Sequence, residues 1–170
     1  MKDKIVLRDI LMSDCAEISK QFASQGWDKP ESQYLSYIEL QKAGARDVIV
    51  AEMDGKIAGY LTINWESEYE LFRERGIPEV VDFNVLKKFQ RRGIGTALMD
   101  EAERRIKERS SYAGIGFGVF GDYGAAQILY VKRGYVPDGR GVVMDSRVLQ
   151  YGDEVVIDDS VVLYLVKELV

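Results

Sequence analysis

The alternation of apolar and polar residues predicts how the chain begins. KIVLRD, at residues 4–9, alternates and predicts a strand. A helix is expected over 14–22, where Ser13 and Asp14 offer an N-cap, and a second helix over 31–44, which ends at a glycine. The first part of the chain is therefore predicted to be one strand followed by two helices.

Residues 47–64 give the clearest strand pattern. Two runs of β-branched and aromatic residues are joined by Asp54 and Gly55, a dipeptide suited to a tight turn with positive φ. We expect an antiparallel hairpin here. The charged stretch 65–78 is then predicted to be a short helix or an ordered loop, and EVVDFNVL, at 79–86, a further strand.

After residue 86 the apolar period changes from that of a strand to that of a helix. Ile94, Leu98, Ala102 and Ile106 recur every four residues, and charged residues occupy the other faces. This spacing predicts an amphipathic helix that begins near Gly93.

The last part of the chain returns to strand patterns around one more helix. A strand interrupted by glycines is expected over 111–120, and a helix over 122–134 with Asp122 as its N-cap. Two further strands, at 141–147 and 160–169, are separated by a polar stretch. The strands and helices therefore occur in mixed order along the chain.

Composition bounds the class of protein. A chain of 170 residues, 46% of them hydrophobic, is long enough for one domain with a real core. We expect a single α/β domain over 1–170, with a mixed sheet of roughly seven strands and about four helices. The net charge of −5 disfavours nucleic acid and membrane surfaces as partners, because both require a basic face.

Side-chain chemistry narrows the possible functions further. The chain has no histidine, which excludes a Ser-His-Asp triad, a Cys-His pair and an HExxH zinc site, and no metal site is expected. Its one cysteine, Cys15, permits no intrachain disulfide and is expected to be a small buried hydrophobe. The sequence suggests neither a signal peptide nor a membrane span, so a cytoplasmic protein is expected.

FQRRGIGTAL, at residues 89–98, combines positive charge and glycine where a strand gives way to a helix. The start of a helix presents unpaired N–H groups, and glycines at Gly93 and Gly95 let an anion approach them closely. Arg91 and Arg92 add positive charge at the same place. Two interpretations remain: a phosphate-binding loop, or a tight turn with a solvated basic rim.

Two other nucleotide-binding motifs can be tested against the sequence. The pattern GxxxxGK[ST] does not occur, which disfavours a P-loop protein. A literal GxGxxG does occur at Gly116, Gly118 and Gly121, but late in the chain and outside a βαβ array. A dinucleotide site is therefore disfavoured.

QRRGIG followed by TALM resembles motif A of the GNAT superfamily of N-acetyltransferases, and AAQILYVKRGYVP resembles a later motif of the same superfamily. The resemblance implies acetyl-coenzyme A as co-substrate and two central strands splayed to admit it. One departure is Tyr123, where many members carry asparagine. The resemblance implies that the pyrophosphate lies against the loop formed by Gln90, Arg91, Arg92, Gly93, Ile94, Gly95 and Thr96.

The resemblance also suggests catalytic residues. It implies that Tyr130 donates a proton or hydrogen bond to the coenzyme A sulfur, and a backbone N–H at Phe83 or Val85 is a candidate donor to the thioester carbonyl. For the base, Glu79 and Asp82 are candidates, because Glu79 precedes the loop by the same offset as the catalytic glutamate of histone-type members. A chain of water molecules is the alternative to a dedicated base.

The acceptor is less constrained than the co-substrate. Trp65, Glu66 and Tyr69 could bind a cationic amine, or they could belong to a solvated charged face. The acceptor amine is expected on a small molecule or a protein, and a homodimer is possible. The alternative to an enzyme is a sensor or scaffold of the same fold that binds acyl-coenzyme A without turnover.

Overall fold

The strands of the chain form one mixed sheet. The structure is a computed structural model and describes residues 4–170, so the first three residues of the domain predicted over 1–170 lie outside the described part. The strands are β1 (Ile5–Asp9), β2 (Arg46–Met53), β3 (Lys56–Asn64), β4 (Glu79–Val85), β5 (Tyr112–Gly118), β6 (Val136–Met144), β7 (Arg147–Val148) and β8 (Val161–Glu168).

In the described part of the chain, five α-helices and two short 3₁₀ turns connect these strands. The helices are α1 (Asp14–Ser24), α2 (Glu31–Lys42), α3 (Glu70–Glu74), α4 (Ile94–Lys107) and α5 (Gly124–Lys132). The 3₁₀ turns cover Lys87–Phe89 and Gly121–Tyr123. Within residues 4–170, no helix has the length and apolar character that a bilayer crossing requires.

The sheet has the strand order β1-β2-β3-β4-β5-β8-β6-β7. The pair β4 and β5 is parallel and the other neighbouring strands are antiparallel. A parallel pair needs a crossover connection, and α4 provides it between β4 and β5. The turn between β2 and β3 is confirmed, because Asp54 and Gly55 have φ values of 52° and 76°.

The helices cover both faces of the sheet, as two adjacent residues of β2 demonstrate. Arg46 lies against the ring of Tyr37 on α2, whereas Asp47 accepts a hydrogen bond of 2.9 Å from Arg105 on α4. Successive residues of a strand point to opposite faces, so α2 and α4 lie on opposite sides. We refer below to the side covered by α2 as the α2 face.

The central strands separate soon after they begin. β4 and β5 are paired only through Glu79 with Gly114 and Val80 with Ile115. Further along, β4 contains a bulge opposite β3, where Asp82 adopts a positive φ of 53°. A bulge bends its strand and interrupts the ladder. The two strands therefore diverge and leave a cleft, as the predicted splay requires.

Several local expectations need correction. The sheet has eight strands rather than seven, because β7 is a two-residue strand. Ser13 precedes α1 but its side chain forms no capping bond, and instead Asp14 accepts a 2.7 Å bond from the amide of Leu11. Asp122 does not cap α5, because it lies inside the 3₁₀ turn that precedes the helix.

Candidate active site

A cleft of about 810 Å³ opens between the diverging strands β4 and β5. Its walls include β4 along its whole length, the second half of β5, the start of α5 and the connection between α1 and α2. Of the predicted site residues, the structure brings together Glu79, Asp82, Phe83, Val85, Gln90 and Tyr130 around this cleft.

The loop before α4 is built to expose backbone amides. Arg91 and Gly93 have positive φ values of 61° and 85°, and Gly93 occupies the N-cap position without any side-chain cap. The first helical hydrogen bond runs from the amide of Ala97 to the carbonyl of Gly93, with a length of 3.0 Å. The amides of residues 94–96 precede that bond and therefore have no acceptor inside the helix.

Phe83 and Gln90 link this loop to β4. Gln90 Nε2 donates to the carbonyl oxygen of Val85 over 3.1 Å, which ties the loop to the end of the strand. A Cβ placed on Gly95 would lie 3.2 Å from Cζ of Phe83, so the ring of Phe83 packs closely against the helix start. Arg91, Arg92 and Thr96 are exposed around the loop, while Ile94 is buried and anchors it to the core.

Tyr130 lines the cleft from α5. Its side chain is 5% exposed, and its ring lies 6.4 Å from that of Phe83 and 6.3 Å from that of Phe117. Burial raises the pKa of Tyr130 well above its ordinary value, so the hydroxyl keeps its proton at neutral pH. Nothing in residues 4–170 forms a hydrogen bond with that hydroxyl, which leaves it available to a ligand in the cleft.

Glu79 lies at the first residue of β4, where the two strands are still paired. Its Oε2 accepts a hydrogen bond of 2.6 Å from the hydroxyl of Ser67, a residue that is 1% exposed. Burial raises the pKa of Glu79, the Ser67 bond opposes that increase, and the charge of Glu68 adds to it. Glu79 is thus a carboxyl in the cleft wall whose proton affinity is increased.

Asp82 has a different environment, although it lies only three residues further along. Its Oδ2 accepts from Tyr60, Gln33 and Tyr37 over 2.8 Å, 2.9 Å and 3.0 Å. Its Oδ1 accepts from Asn84 over 2.7 Å and from Lys29 over 3.0 Å. Five donors from the protein itself therefore occupy both oxygens, which favours a structural role at the bulge.

The two backbone candidates for binding a carbonyl oxygen differ in their pairing. Val85 is paired with Gly59 of β3, whereas Phe83 lies in the bulge and is paired with no residue of β3 or β5. An unpaired strand residue next to a cleft has the freer N–H group. This geometry favours Phe83.

The residues considered for acceptor binding are dispersed. Trp65 donates a 2.9 Å hydrogen bond to Asp47 and stacks with Arg109 beside α4, so it lies outside the cleft wall. Glu66 is exposed to solvent. Tyr69 is 4% exposed and stacks on Tyr164, a residue of the cleft wall, at 3.8 Å between ring centroids.

The structure adds residues that sequence reasoning did not select. Lys29 and Trp27 line the cleft from the connection between α1 and α2, and Ser67 binds Glu79 from the stretch before α3. Each reaches the site through contacts with residues more than ten positions away in the chain, so no local motif marks them. Tyr123 is the residue that the sequence analysis noted as a departure from the family's asparagine. Its ring covers Gly118, where a Cβ would lie 2.4 Å from the ring.

No ligands for a metal ion are assembled in residues 4–170: no group of three or more histidine, cysteine, aspartate or glutamate side chains is placed to bind one. Close packing explains the glycines of β5, including Gly116 and Gly118 of the GxGxxG spacing, whereas a Cβ on Gly121 would meet nothing within 4 Å. At Gly114 and Gly116 a Cβ would lie 2.3 Å from Phe72 and 2.7 Å from Val162, so side chains of the α2 face cover β5 closely.

Comparison with known proteins identifies the family. Residues 12–135 match the model of the acetyltransferase (GNAT) family. The match covers more than half of the chain, so the protein belongs to the GNAT acetyltransferase family. This confirms the resemblance of the two motifs. A search of curated proteins gives no match.

Solved structures share this fold at low sequence identity. A protein assigned to the GNAT family from Desulfovibrio desulfuricans is 16% identical with a TM-score of 0.73, covering 98% of this chain and 100% of its own. The yncA protein of Salmonella typhimurium, solved with its cofactor acetyl-CoA, is 17% identical with a TM-score of 0.69, covering 97% and 94%. Ribosomal-protein-alanine N-acetyltransferase from Brucella melitensis is 18% identical with a TM-score of 0.71, covering 96% and 99%.

Proposed function

We propose that the protein is an N-acetyltransferase that uses acetyl-coenzyme A and moves the acetyl group to a primary amine by direct attack on the thioester. One observation carries this proposal: Glu79, Tyr130 and Gln90, the last at the start of the loop before α4, border the same cleft, and the first turn of α4 packs against Phe83 in the cleft wall. Family membership and the relative solved with acetyl-CoA support the choice of co-substrate.

The residues present fit a coenzyme A molecule. The unpaired amides of residues 94–96 and the positive end of the α4 dipole favour a diphosphate, and Arg91 adds positive charge at the loop. At Gly93 a Cβ would meet nothing within 4 Å, so the backbone there is open to a bulky anion. Acetyl-coenzyme A supplies the acetyl group in an activated form, as a thioester.

The acceptor amine must lose a proton before it can attack. An alkylamine has a pKa of about 10.4, so fewer than roughly one molecule in a thousand is neutral at pH 7. A general base works best when its pKa lies near the working pH, and burial moves the pKa of Glu79 in that direction. We therefore assign Glu79 as the base.

Asp82 is less suited to that role because its oxygens already accept five hydrogen bonds from the protein. We assign it to the support of the β4 bulge. The bulge keeps Phe83 out of register with β3, and the freed N–H of Phe83 is our choice of donor to the carbonyl oxygen in the transition state.

Tyr130 is our choice for the proton donor to the leaving sulfur. Burial keeps its hydroxyl protonated at neutral pH, and contacts with Phe83, Phe117 and Tyr135 fix the ring. A fixed hydroxyl that has no partner in the described chain is preorganised to donate when negative charge develops nearby.

The experiment that tests this function combines binding with turnover. Acetyl-coenzyme A is titrated into the purified protein by calorimetry, and thiol release is then followed across a panel of primary amines. Saturable binding together with amine-dependent thiol release would support the enzyme. Binding without release for any amine would instead favour a non-catalytic acyl-coenzyme A sensor.

A further inference from the structure

Arg46, the first residue of β2, is a half-buried cation without a carboxylate partner. Its Nη1 donates to Oγ1 of Thr62 over 2.9 Å, and its guanidinium lies 4.7 Å from the centre of the Tyr37 ring. Its Nε is buried and finds no acceptor in the part of the chain that the structure describes. No aspartate or glutamate among residues 4–170 forms an ion pair with it, whereas Arg105 and Arg133 each have two or more such partners.

The register of the sheet places Arg46 beside the assigned base. Arg46 is paired with Asn64, and Asn64 is paired with Glu79. Residues that are directly paired point to the same face, so Arg46 and Glu79 share the α2 face. Two strand spacings separate them, which is about 10 Å between backbones, and Asn64 lies on the same face between them.

This arrangement puts opposite charges on the α2 face, two strands apart. Glu79, with exposed Glu68 close enough to act on it electrostatically, forms the negative end. Arg46 forms the positive end, and its planar fork of N–H groups matches a carboxylate in a way that a lysine would not. A partly buried guanidinium that forms no ion pair is unfavourable by itself, so an anionic group of a ligand in direct contact would compensate it.

From this geometry we propose that the acceptor is a small primary amine that also carries a carboxylate, of which a free amino acid is the simplest case. Arg46 binds the carboxylate, and the amine then lies next to Glu79. The proposal rests on the N-acetyltransferase function proposed above and specifies its substrate class. It makes Arg46 a residue that determines specificity, with no part in the transfer of protons.

Arg46 could influence turnover in a second way, because its positive charge also lowers the pKa of Glu79. That effect acts on every acceptor equally, since it changes only the base. Recognition of a carboxylate acts only on acceptors that have one. The ratio of kcat/KM for an amino acid to kcat/KM for its amide therefore isolates the recognition.

The test uses matched acceptors that differ at one group: leucine, leucinamide and 3-methylbutylamine, followed by the other common amino acids with their amides. The wild-type protein is expected to prefer at least one amino acid over its amide. Arg46→Gln is expected to lower that kcat/KM ratio by about 10- to 100-fold, mainly through KM, and Arg46→Lys to lower it less. Arg109→Gln is the matched control, because Arg109 also stacks on an aromatic ring but lies beside Trp65, away from the cleft.

A second measurement separates this proposal from the proposed function. Binding of the same amino acids to the protein with coenzyme A present is measured by calorimetry, which requires no turnover. Arg46-dependent binding of an amino acid without any acetylation would support the recognition and contradict the enzyme. Acetylation of amides and simple amines as efficiently as amino acids, or a ratio unchanged by Arg46→Gln, would overturn the recognition alone. No amino acid binding and no acetylation would refute both.

Discussion

The hydroxyl of Ser67 donates a 2.6 Å hydrogen bond to Oε2 of Glu79, and the two residues come from stretches separated by α3. Ser67 is almost fully buried and also accepts a bond from the amide of Tyr69 over 3.0 Å. These two bonds fix the position of the Ser67 hydroxyl, and the hydroxyl in turn fixes the orientation of the Glu79 carboxyl. One Glu79 oxygen is bound by the protein, so we assign the other to the acceptor amine.

Replacing Glu79 by glutamine should remove the base and keep the Ser67 bond. We expect kcat to fall by roughly 10²- to 10⁴-fold while the affinity for acetyl-coenzyme A stays within a few-fold. In the wild type, kcat/KM should fall as the pH is lowered through the raised pKa of Glu79, above the ordinary value of about 4.5. A Glu79→Gln variant that keeps wild-type turnover would show that water, and not Glu79, accepts the proton.

The same substitution makes a prediction about stability. The pKa of Glu79 is higher in the folded than in the unfolded protein, so the folded state binds its proton more tightly and ionisation at high pH opposes folding. Glu79→Gln should therefore be more stable than the wild type at pH 8 and equally stable at pH 4. Thermal melts at the two pH values measure this difference. A variant less stable than the wild type at pH 8 would contradict the assignment of burial as the main cause.

Ser67→Ala should shift the pH profile without abolishing turnover. The Ser67 bond favours the ionised form of Glu79, so its loss should raise the pKa of Glu79 further and move the acid limb of kcat/KM to higher pH. Ser24→Ala serves as a control, because the Ser24 hydroxyl donates to the carbonyl of Gln21 on the exposed end of α1. If the acid limb of the kcat/KM profile lies at the same pH in Ser67→Ala and in the wild type, then the ionisation of Glu79 does not determine that limb.

Tyr130→Phe separates the hydroxyl from the ring. The ring packing against Phe83 and Phe117 is retained, so the fold and acetyl-coenzyme A affinity should be preserved while kcat falls by about 10- to 1000-fold. Tyr135→Phe is a matched control, because Tyr135 is buried in the same cluster, 6.1 Å from the Tyr130 ring. Equal losses of kcat in the two variants would argue against a specific role for Tyr130.

Gly93→Ala tests the loop before α4. Gly93 has a φ of 85°, a conformation that disfavours an alanine by about 1 kcal/mol, and relaxation of that strain should turn the neighbouring amides away from the diphosphate. We expect acetyl-coenzyme A affinity to fall at least tenfold. Gly152→Ala, at a φ of 90° in an exposed turn, should introduce the same strain and leave affinity unchanged. Similar affinities in both variants would contradict the phosphate-binding assignment.

Asp82→Asn should lower the stability of the fold and should not remove a group that takes part in the reaction. An amide cannot accept from five donors, so the buried network with Lys29, Tyr37 and Tyr60 should lose roughly 2–4 kcal/mol. Chemical denaturation measures this loss. Asp100→Asn, which affects an exposed ion pair with Arg133, should change stability by less than about 1 kcal/mol. A fully stable Asp82→Asn variant without turnover would instead return Asp82 to the list of candidate bases.

The sequence was most informative where structure is decided locally. The hairpin turn at Asp54 and Gly55 and the amphipathic α4 follow from neighbouring residues, and both were predicted correctly. β7 was missed because two residues carry no period. The prediction that Asp122 caps α5 was wrong, because a 3₁₀ turn intervenes before α5 begins at Gly124.

The candidate site was predictable only in part. The loop at 90–96 has a local motif, so its position followed from sequence. The environment of Asp82 did not, because its donors Lys29 and Gln33 come from residues about 50 positions earlier in the chain. The Ser67 bond to Glu79 and the isolation of Arg46 also depend on strand register, which the pattern of apolar residues does not define at single side chains.

The central claim is that this cleft transfers an acetyl group from acetyl-coenzyme A to an amine. The most direct measurement is a single-turnover reaction, in which protein preloaded with acetyl-coenzyme A is mixed with the amine panel and both free thiol and acetylated amine are quantified. We predict one thiol released for each amide formed, with release dependent on the amine. Thiol without amide would indicate hydrolysis, and no thiol with any amine would contradict the proposed function.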